Sequence, residues 1–540
     1  MTNCNIGAAL HESAAARPDA LALVTGRNGQ YTQQSFRELL ATSCRYANAL
    51  QGQGVERGQR VMLMVRPSMD FIALTFALFQ LGAVVILIDP GMGWRNLLRC
   101  IGAVKPEALI GIPAAQLFSR IFSGPFKTVR RRVCVGPSFG IGGSTLTAAC
   151  KGMSADFSPA VTAENELAAV IFTTGSTGPP KGVQYTHGIF FHQLRLIRDY
   201  YGIGPGDIDQ PGFPLFGLFA AALGAAAVIP DMDPTRPAQV DPAKFVRSML
   251  DWQVTYSFGS PAIWNVVSRH CLAAKITLPV RKVLMAGAPV SGELISRVQS
   301  IMPAGGVVHT PYGATESLPS VSITGEEILR ETWTQTRIGK GACVGRPLPG
   351  MSVRVIKVTD GPLPDWSAAK ELSAGHIGEI VVKGPVVTRA YDGNEPETRL
   401  AKISDGGGFW HRMGDVGYMD GQGRLWFCGR KAHRVLTPAG PMHTICCEAI
   451  FNEHPLVLRS ALVGVGKVGE QKPVLIVELR EAAPDERRLF AELRELALAH
   501  PLTAAIETFL IHPSFPVDIR HNAKIFREKL AVWAAERVSA

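Results

Sequence analysis

The sequence predicts an α/β protein in which helices cover sheets built largely from buried strands. Short apolar runs typical of buried strands, among them 60–65, 83–88 and 282–285, alternate with stretches of helical pattern. The chain has 540 residues, which is too long for one ordinary hydrophobic core, so we expect more than one domain. Between about 353 and 418 short alternating strands are separated by glycine- and proline-rich breaks, which predicts a smaller β-rich subdomain.

The longest apolar run, residues 71–88, predicts a buried helix followed by a strand. Gln80 and Gly82 interrupt the run and Asp89-Pro90 closes it. We therefore expect a helix over 71–81, a turn at Gly82 and a strand over 84–88, not a membrane-spanning helix. The alanine- and glycine-rich run 215–229 is expected to pack internally in the same way.

A loop rich in glycine and hydroxyl residues follows another predicted strand. Residues 173–182 read Thr-Thr-Gly-Ser-Thr-Gly-Pro-Pro-Lys-Gly and come directly after the apolar run 167–172. Such a loop offers backbone N–H groups and hydroxyls to phosphate oxygens, and Lys181 adds a positive charge. Because open α/β folds bind ligands at strand ends, the loop predicts a nucleotide-phosphate site.

Two common nucleotide motifs do not fit this loop. The phosphate loop of NTPases requires Gly-x-x-x-x-Gly-Lys followed by Ser or Thr, whereas Lys181 stands three residues after Gly178 and is followed by Gly182. The dinucleotide pattern Gly-x-Gly-x-x-Gly is also absent at this strand end. Taken alone, a loop of this composition is more often a surface turn, so further motifs must decide.

Four such motifs follow in order: Pro-Tyr-Gly-Ala-Thr-Glu at 311–316, Met-Gly-Asp-Val-Gly-Tyr at 413–418, Cys-Gly-Arg-Lys at 428–431 and Arg-His-Asn-Ala-Lys-Ile at 520–525. With the loop, they make the chain resemble the adenylate-forming superfamily of acyl-CoA synthetases, luciferases and peptide-synthetase adenylation domains, from about Asn5 to Leu530. The resemblance implies a large N-terminal domain, 1–429, that binds ATP and the acyl group. It also implies a small, mobile C-terminal α/β lid, 430–540.

The resemblance further implies which residues carry the chemistry. Lys181, Thr315, Glu316 and Lys524 would be catalytic: Thr315 would contact the α-phosphate, and Lys524 would reach from the lid to the substrate carboxylate and the α-phosphate. Glu316, with Thr174, would bind Mg²⁺. The β- and γ-phosphates of ATP would be held by the loop residues Thr173, Thr174, Gly175, Ser176, Thr177, Gly178 and Lys181.

The remaining motif residues would bind the nucleoside. Tyr312 would stack on adenine beside Gly313, Asp415 would accept both ribose hydroxyls, and Arg430 would contact the ribose or a phosphate. The tight turn beside adenine and the acyl group would be Gly287, Ala288 and Pro289. Without the resemblance, ordinary structural interpretations stay open: a core tyrosine, a surface salt bridge of Arg430 and a helix-surface lysine at 524.

Three segments support a narrower resemblance: 230–237, 424–431 and 515–524. They are similar to the family of β-lactone synthetases of bacterial long-chain olefin biosynthesis. The implied reaction converts a long-chain β-hydroxy acid into a β-lactone with release of AMP and pyrophosphate, with possible assembly alongside other enzymes of the same pathway. One alternative stays open, a long-chain acyl-CoA or acyl-ACP ligase. A catalytically inactive nucleotide-binding or scaffold protein is disfavoured, because it would not require the full set Lys181, Glu316, Asp415, Arg430 and Lys524.

Two departures from thioester-forming members concern the second half-reaction. Gly217 follows Pro-Leu-Phe at 214–216, where those members usually carry a histidine or a larger aromatic gate, so we expect an open position there. Ala432 replaces the usual Asp or Lys two residues after Arg430, which argues against a large rotation of the lid towards a CoA site. His187 is a candidate base for lactone closure, or a structural residue at a helix start.

Composition excludes several other classes of protein. The balance of 55 Lys+Arg against 45 Asp+Glu suits anionic ligands, and we expect the charge to be spread without a basic block, so nucleic acid is not a predicted partner. The ten cysteines form no Cys-x-x-Cys pair, and residues 1–7 lack a signal-peptide pattern. These features predict a reduced, cytoplasmic setting.

Overall fold

The computed structural model describes residues 3–27, 29–141, 143–173, 179–213, 215–481, 485–517 and 525–538. Within them the strands are β1 (Leu21–Arg27), β2 (Gln30–Ser35), β3 (Arg60–Met64), β4 (Val84–Leu87), β5 (Ala108–Gly111), β6 (Arg131–Cys134), β7 (Ser144–Thr145), β8 (Leu167–Phe172), β9 (Gly182–Thr186), β10 (Ile208–Asp209), β11 (Ala226–Ile229), β12 (Tyr256–Gly259), β13 (Lys282–Met285), β14 (Val307–His309), β15 (Tyr312–Ala314), β16 (Ser317–Ser322), β17 (Ala342–Pro347), β18 (Ser352–Ile356), β19 (Gly378–Lys383), β20 (Lys402–Asp405), β21 (Gly408–Met419), β22 (Leu425–Arg430), β23 (Val435–Thr437), β24 (Gly440–Met442), β25 (Val457–Val465), β26 (Lys472–Leu479) and β27 (Thr508–Ile511).

The α-helices of the same residues are α1 (Ile6–Ala16), α2 (Phe36–Gly52), α3 (Met69–Leu81), α4 (Trp94–Val104), α5 (Pro113–Ile121), α6 (Leu146–Ala149), α7 (His187–Tyr201), α8 (Phe216–Ala222), α9 (Pro242–Asp251), α10 (Pro261–Ala274), α11 (Gly292–Gln299), α12 (Gly325–Glu327), α13 (Trp333–Gln335), α14 (Glu395–Ala401), α15 (Thr444–Phe451), α16 (Glu486–Leu498) and α17 (Arg527–Val538).

Two seven-stranded sheets and one larger antiparallel sheet form the first four-fifths of the chain. The seven-stranded sheets have the orders β14-β13-β12-β10-β11-β1-β2 and β7-β6-β5-β3-β4-β8-β9. Their pairings are parallel except at one edge each, where β1 pairs with β2 and β8 with β9 in antiparallel fashion. The eight-stranded antiparallel sheet has the order β15-β16-β17-β22-β21-β19-β18, with β20 on β21. The predicted α/β class is confirmed, and the β-rich part begins earlier than expected, at Tyr312.

Helix α3 shows how the sequence builds the core. The Ser68 hydroxyl caps its N-terminus by accepting from the Phe71 N–H, and Gly82 ends it with φ 71°, a left-handed conformation that favours glycine. All residues from Phe71 to Leu81 are buried, because α3 shares one hydrophobic cluster with strands of both seven-stranded sheets. The predicted helix, turn and strand are therefore confirmed, and within the described ranges we find no helix long and apolar enough to cross a membrane.

The C-terminal part has its own small sheet and two hydrophobic clusters. Strand β25 pairs antiparallel with β26, which pairs parallel with β27. Helices α15 and α16 pack on one face of this sheet and α17 on the other. These elements agree with the predicted α/β lid, while the division at 429/430 and the mobility of the lid stay predictions.

Candidate active site

One large cavity, about 1830 Å³ in volume, brings most of the predicted site residues together. Its wall is polar where the ends of β8, β15, β21 and β22 meet, and apolar where it extends between the two seven-stranded sheets. Thr173, Lys181, Gly287, Ala288, Pro289, Tyr312, Gly313, Thr315, Glu316, Asp415 and Arg430 all line it. The sequence motifs, spread over more than 250 residues, thus converge on a single site.

The predicted phosphate loop is closed at its base by a pair of hydrogen bonds. The Thr173 N–H donates to the Lys181 carbonyl over 3.0 Å, and the Lys181 N–H donates to the Thr173 hydroxyl over 3.1 Å. Strands β8 and β9 then pair from Phe172 opposite Gly182. Residues 174–178 of the loop lie outside the described residues, so the roles predicted for Thr174, Gly175, Ser176, Thr177 and Gly178 stay predictions.

Tyr391 connects the two charged residues of the predicted phosphate and metal sites. Its hydroxyl donates to Glu316 Oε1 over 2.7 Å, and its ring centroid lies 5.0 Å from Lys181 Nζ. Lys181 Nζ also forms an ion pair with Glu397 at the start of α14. Burial and the negative charge of Glu316 raise the pKa of Tyr391, so its hydroxyl stays protonated and donates. Lys181 and Glu316 are therefore held at fixed positions before any ligand binds.

Lys402 and His411 lie opposite each other behind this group, as register partners on β20 and β21. Lys402 Nζ donates to the Thr388 carbonyl, and burial lowers the pKa of Lys402 to about 7 although the Glu316 charge opposes this. His411 lines the cavity and is buried; burial and the nearby Lys402 charge lower its pKa, so the imidazole is neutral. The positive charge near Glu316 can therefore vary around neutral pH.

Asp415 and Arg430 are also register partners, on β21 and β22. Arg430 NH1 donates to Asp415 Oδ1 over 2.8 Å, and the Tyr312 hydroxyl donates to Asp415 Oδ2 over 2.7 Å. The Asp415 charge raises the pKa of Arg430, while burial and that same charge raise the pKa of Tyr312. One wall of the cavity thus holds a carboxylate, a cation and an aromatic ring side by side. These groups suit a ribose, a phosphate and a base, respectively.

The turn after β13 fits its predicted role. Gly287 has φ 99°, a conformation that L-residues with side chains rarely adopt, and it lies in the cavity wall beside Ala288 and Pro289. Small residues here let a ligand approach the backbone closely. The prediction that this tripeptide forms a tight turn at the site agrees with the geometry.

The apolar part of the cavity departs from expectation at Gly217. The position does not open into the cavity: Gly217 is buried, and a Cβ added there would lie 3.2 Å from Ile229 Cδ1. The preceding Phe216 lines the cavity instead, stacked on Phe258 with ring centroids 3.9 Å apart. The expectation of an open gate position is therefore wrong, because α8 turns the 217 position towards β11 and its neighbour towards the cavity.

At the predicted domain junction, Lys431 ties the chain to the antiparallel sheet. Its Nζ lies 3.3 Å from Glu379 Oε2, and Glu379 is paired with Arg412 at 2.7 Å. Ala432 is exposed in the cavity wall, and next to it His433 has its pKa lowered to about 3, by burial and by the charges of Arg527 and Arg430. This segment, 431–434, therefore forms part of the wall.

Lys524 lies outside the described residues, although Ile525, which follows it in the chain, lines the cavity. His187 is fully buried at the start of α7, packs edge-on against Phe79 at 6.1 Å and is not part of the cavity wall. Burial lowers its pKa to about 4, so of the two interpretations of His187 the structural one holds.

Several residues of the site could not be predicted, because they do not belong to any sequence motif. Tyr391, Glu397 and Lys402 lie more than 200 residues from Lys181 in the chain, in a stretch that contains no nucleotide motif. Glu379 also lies outside any motif, and Arg412 directly precedes the motif 413–418 without belonging to it. The only sequence feature that points to their ion pair is the alternation of side chains along β19 and β21, which places both residues on the buried face of the sheet.

This fold and site define a nucleotide-binding enzyme. Residues 10–392 match the model of the family described as AMP-binding enzyme, and the chain belongs to that family. It is 47% identical to the olefin β-lactone synthetase of Xanthomonas campestris pv. campestris over 99% of this chain and 98% of the relative. It is 46% identical to the olefin β-lactone synthetase of Stenotrophomonas maltophilia, over 98% of each chain.

More distant relatives share the fold. A long-chain-fatty-acid–CoA ligase of Thermus thermophilus is 25% identical over 87% of this chain and 85% of its own. Among solved structures, ATP-bound MatB from Rhodopseudomonas palustris superposes with a TM-score of 0.80 at 22% identity, over 99% of this chain and all of that one. The amide bond synthetase McbA from Marinactinospora thermotolerans gives 0.81 at 22% identity over the same shares.

Proposed function

We propose that this enzyme activates the carboxylate of a long-chain β-hydroxy acid with ATP and closes the acid to a β-lactone, releasing AMP and pyrophosphate. The observation that carries the proposal is the identity of 47% and 46% with two olefin β-lactone synthetases over nearly the whole chain. The cavity supports it, because one wall is charged and hydrogen-bonded and the other is lined by side chains such as Phe213, Phe216, Phe258 and Met285.

In the first step a carboxylate oxygen attacks the α-phosphorus of ATP and pyrophosphate leaves. Two anions must approach each other, so the chain must supply positive charge and hydrogen-bond donors. We assign the β- and γ-phosphates to Lys181, which contacts Tyr391 and Glu397, and the ribose or the α-phosphate to Arg430, which is paired with Asp415. Lys524 is proposed as a third source of positive charge, and Thr315 as the residue that contacts the α-phosphate.

Mg²⁺ is proposed at Glu316, with Thr174 as the second residue implied. When bound, the ion would offset the negative charge of the phosphates. The residues present fit an ion, since the Glu316 carboxylate is held by the Tyr391 hydroxyl and lines the same cavity as Lys181. The described residues contain no cluster of three His, Cys, Asp or Glu side chains, so an ion at Glu316 would need phosphate oxygens or water to complete its coordination there.

In the second step the β-hydroxyl oxygen attacks the activated acyl carbon, AMP leaves and the hydroxyl proton is released. The nucleophile is already part of the acyl chain, so the reaction gains the advantage of intramolecular attack, up to roughly 7–11 kcal/mol for well-oriented groups. The enzyme then needs only to orient the chain and exclude water. The apolar walls formed by α8, β12 and the turn after β13 can do both.

Domains 1–429 and 430–540 are proposed as the binding domain and its mobile lid. A cytoplasmic setting and assembly with enzymes of the same pathway are likewise proposals. The similarity to a long-chain-fatty-acid–CoA ligase favours one competing function, the formation of an acyl-CoA through the same adenylate.

The test compares two acids of equal length, one with and one without the 3-hydroxyl group, each with ATP and with or without CoA. We expect the hydroxy acid to give a product lighter by one water, at a rate that CoA does not increase. The unsubstituted acid should stall as the adenylate. Rapid thioester formation from the unsubstituted acid would instead identify an acyl-CoA ligase, and formation of ADP would contradict adenylation altogether.

A further inference from the structure

Large apolar side chains are exposed together on helices α4 and α5 and the loop after β6. Trp94 is 55% exposed, Leu117 46%, Ile121 64% and Phe139 76%. Arg120 Nε donates to the Ile141 carbonyl over 2.7 Å, which holds the loop that carries Phe139 beside α5. Monomeric proteins seldom expose such clusters without a partner. We call this group, with Phe122 and the neighbouring Arg95, Arg99 and Arg120, the Trp94 surface.

The same stretch concentrates the positive charge of the chain. Residues 94–132 contain eight Lys or Arg and one acid, Glu107, a net charge of +7 against +10 for the whole protein. The expectation that the positive charge is spread evenly along the chain is therefore wrong. None of the eight forms an ion pair within the part of the chain that the structure describes. Arg95 lies over the Trp94 ring at 5.3 Å, and Arg99 follows one helical turn later.

A chain of aromatic rings leads from this surface to the cavity. Trp94 stacks on Phe122 with ring centroids 6.0 Å apart, and Phe122 lies 4.8 Å from Phe118. Phe118 and Leu97, on the inward sides of α5 and α4, line the cavity. Ala114, at the start of α5, lines it as well, one helical turn before the exposed Leu117, so this end of the cavity lies beside the Trp94 surface.

We propose that the Trp94 surface docks on an anionic phospholipid bilayer and places this end of the cavity beside the membrane. Exposed tryptophan and phenylalanine rings partition into the headgroup region, and surrounding arginines attract anionic headgroups. A protein partner would be expected to supply acids for the unpaired cations but would not explain why the apolar surface continues into the cavity. The further statement that long-chain acids enter here rests on the proposed function.

The test is sedimentation of the full-length protein with vesicles of phosphatidylcholine containing about a third phosphatidylglycerol, against vesicles of phosphatidylcholine alone. The wild type should bind the anionic vesicles. Arg95→Gln with Arg99→Gln should lower the partition coefficient about 25-fold, since each basic residue near such a surface contributes about fivefold. Trp94→Ser should lower it about tenfold, by removing one apolar side chain from the interface.

Helix α16 offers a matched control. Leu498, 66% exposed, and the exposed Arg494 one turn before it repeat the pairing of an apolar and a basic residue away from the Trp94 surface. Leu498→Ser with Arg494→Gln should leave vesicle binding unchanged. The proposal is overturned if the wild type does not bind anionic vesicles, or if the control variant loses as much binding as the Trp94 surface variants. It is also overturned if the only effect of Trp94→Ser is to dissociate a dimer, as measured by light scattering.

A parallel assay separates this proposal from the proposed function. ATP–pyrophosphate exchange with a short, water-soluble 3-hydroxy acid needs no membrane, and we expect the Trp94 and Arg95/Arg99 variants to match the wild type in it. Absence of exchange in the wild type would count against the proposed function alone. Loss of exchange in the surface variants, with vesicle binding intact, would overturn the membrane proposal by placing these residues at the active site.

Discussion

The two ends of the cavity are built in different ways. At the polar end each charged side chain has a defined partner: Lys181 with Glu397, Glu316 with Tyr391, Asp415 with Arg430. At the apolar end Phe216 and Phe258 are placed only by packing against each other and their neighbours. This difference indicates that the polar end determines which reaction occurs, because hydrogen bonds set the positions of the reacting atoms. The apolar end determines which acyl chain fits.

The largest effect should follow loss of the predicted lid lysine, which we propose acts at the polar end. Lys524→Ala should lower the rate of acyl-adenylate formation about 10²–10³-fold, the usual cost of removing one charge-stabilising donor from a transition state. ATP–pyrophosphate exchange measures it. Lys529→Ala, on helix α17 nearby, is the control and should be unaffected. Adenylation at the parental rate in Lys524→Ala would remove Lys524 from the mechanism.

A smaller effect should come from Tyr391→Phe, which keeps the ring under Lys181 but removes the hydrogen bond to Glu316. A bond to a charged group is worth about 1.5–3 kcal/mol, so exchange should slow by about tenfold or more. The Mg²⁺ concentration needed for half-maximal nucleotide binding should rise, because Glu316 is no longer held in place.

Tyr418→Phe is the matched control for that variant. Its hydroxyl donates to the Lys340 carbonyl over 3.0 Å, away from the cavity wall, so the variant should keep the parental Mg²⁺ dependence. An unchanged Mg²⁺ requirement in Tyr391→Phe would show that the polar end does not depend on this bond, and the contrast between the two ends would weaken.

Lys402 provides a pH-dependent comparison. Its pKa of about 7 in the folded protein lies below the ordinary lysine value, so from pH 7 to 9 the unfolded chain binds more protons and the free energy of unfolding rises with pH. Against Lys402→Met, the wild type should gain about 2 kcal/mol over this range, measured by denaturant unfolding. Lys467→Met, at an exposed lysine, should show no such trend. A difference between wild type and Lys402→Met that is flat in pH would mean that Lys402 stays charged.

The smallest effect is expected at the apolar end. Phe216→Ala should raise the KM for a long-chain acid roughly threefold to tenfold and leave the KM for ATP unchanged, because it removes one packing surface and no charged contact. Steady-state kinetics with acids of increasing length give the measurement. A parallel loss of ATP affinity would show that the two ends are not separable.

Sequence patterns predicted the parts of the fold that depend on local order. Strands such as Lys282–Met285, and the helix that ends at Gly82, follow from apolar runs and one left-handed glycine. The residues lining the polar end were found because they belong to ordered motifs. Tyr391, Glu397 and Lys402 were not, since only the pairing of distant strands brings them to Lys181 and Glu316. Gly217 was misjudged because the direction of its Cα–Cβ bond depends on the rotation of α8, which the sequence does not give.

The central claim, that the carboxylate is the activated group and the β-hydroxyl the internal nucleophile, can be tested directly with ¹⁸O. A 3-hydroxy long-chain acid labelled in both carboxylate oxygens is incubated with ATP, and the AMP and the lipid product are analysed by mass spectrometry. The account predicts AMP that carries one ¹⁸O and a lactone that keeps one, in its carbonyl. A lactone that keeps both labels, with unlabelled AMP, would show that the hydroxyl is activated instead and would contradict the account.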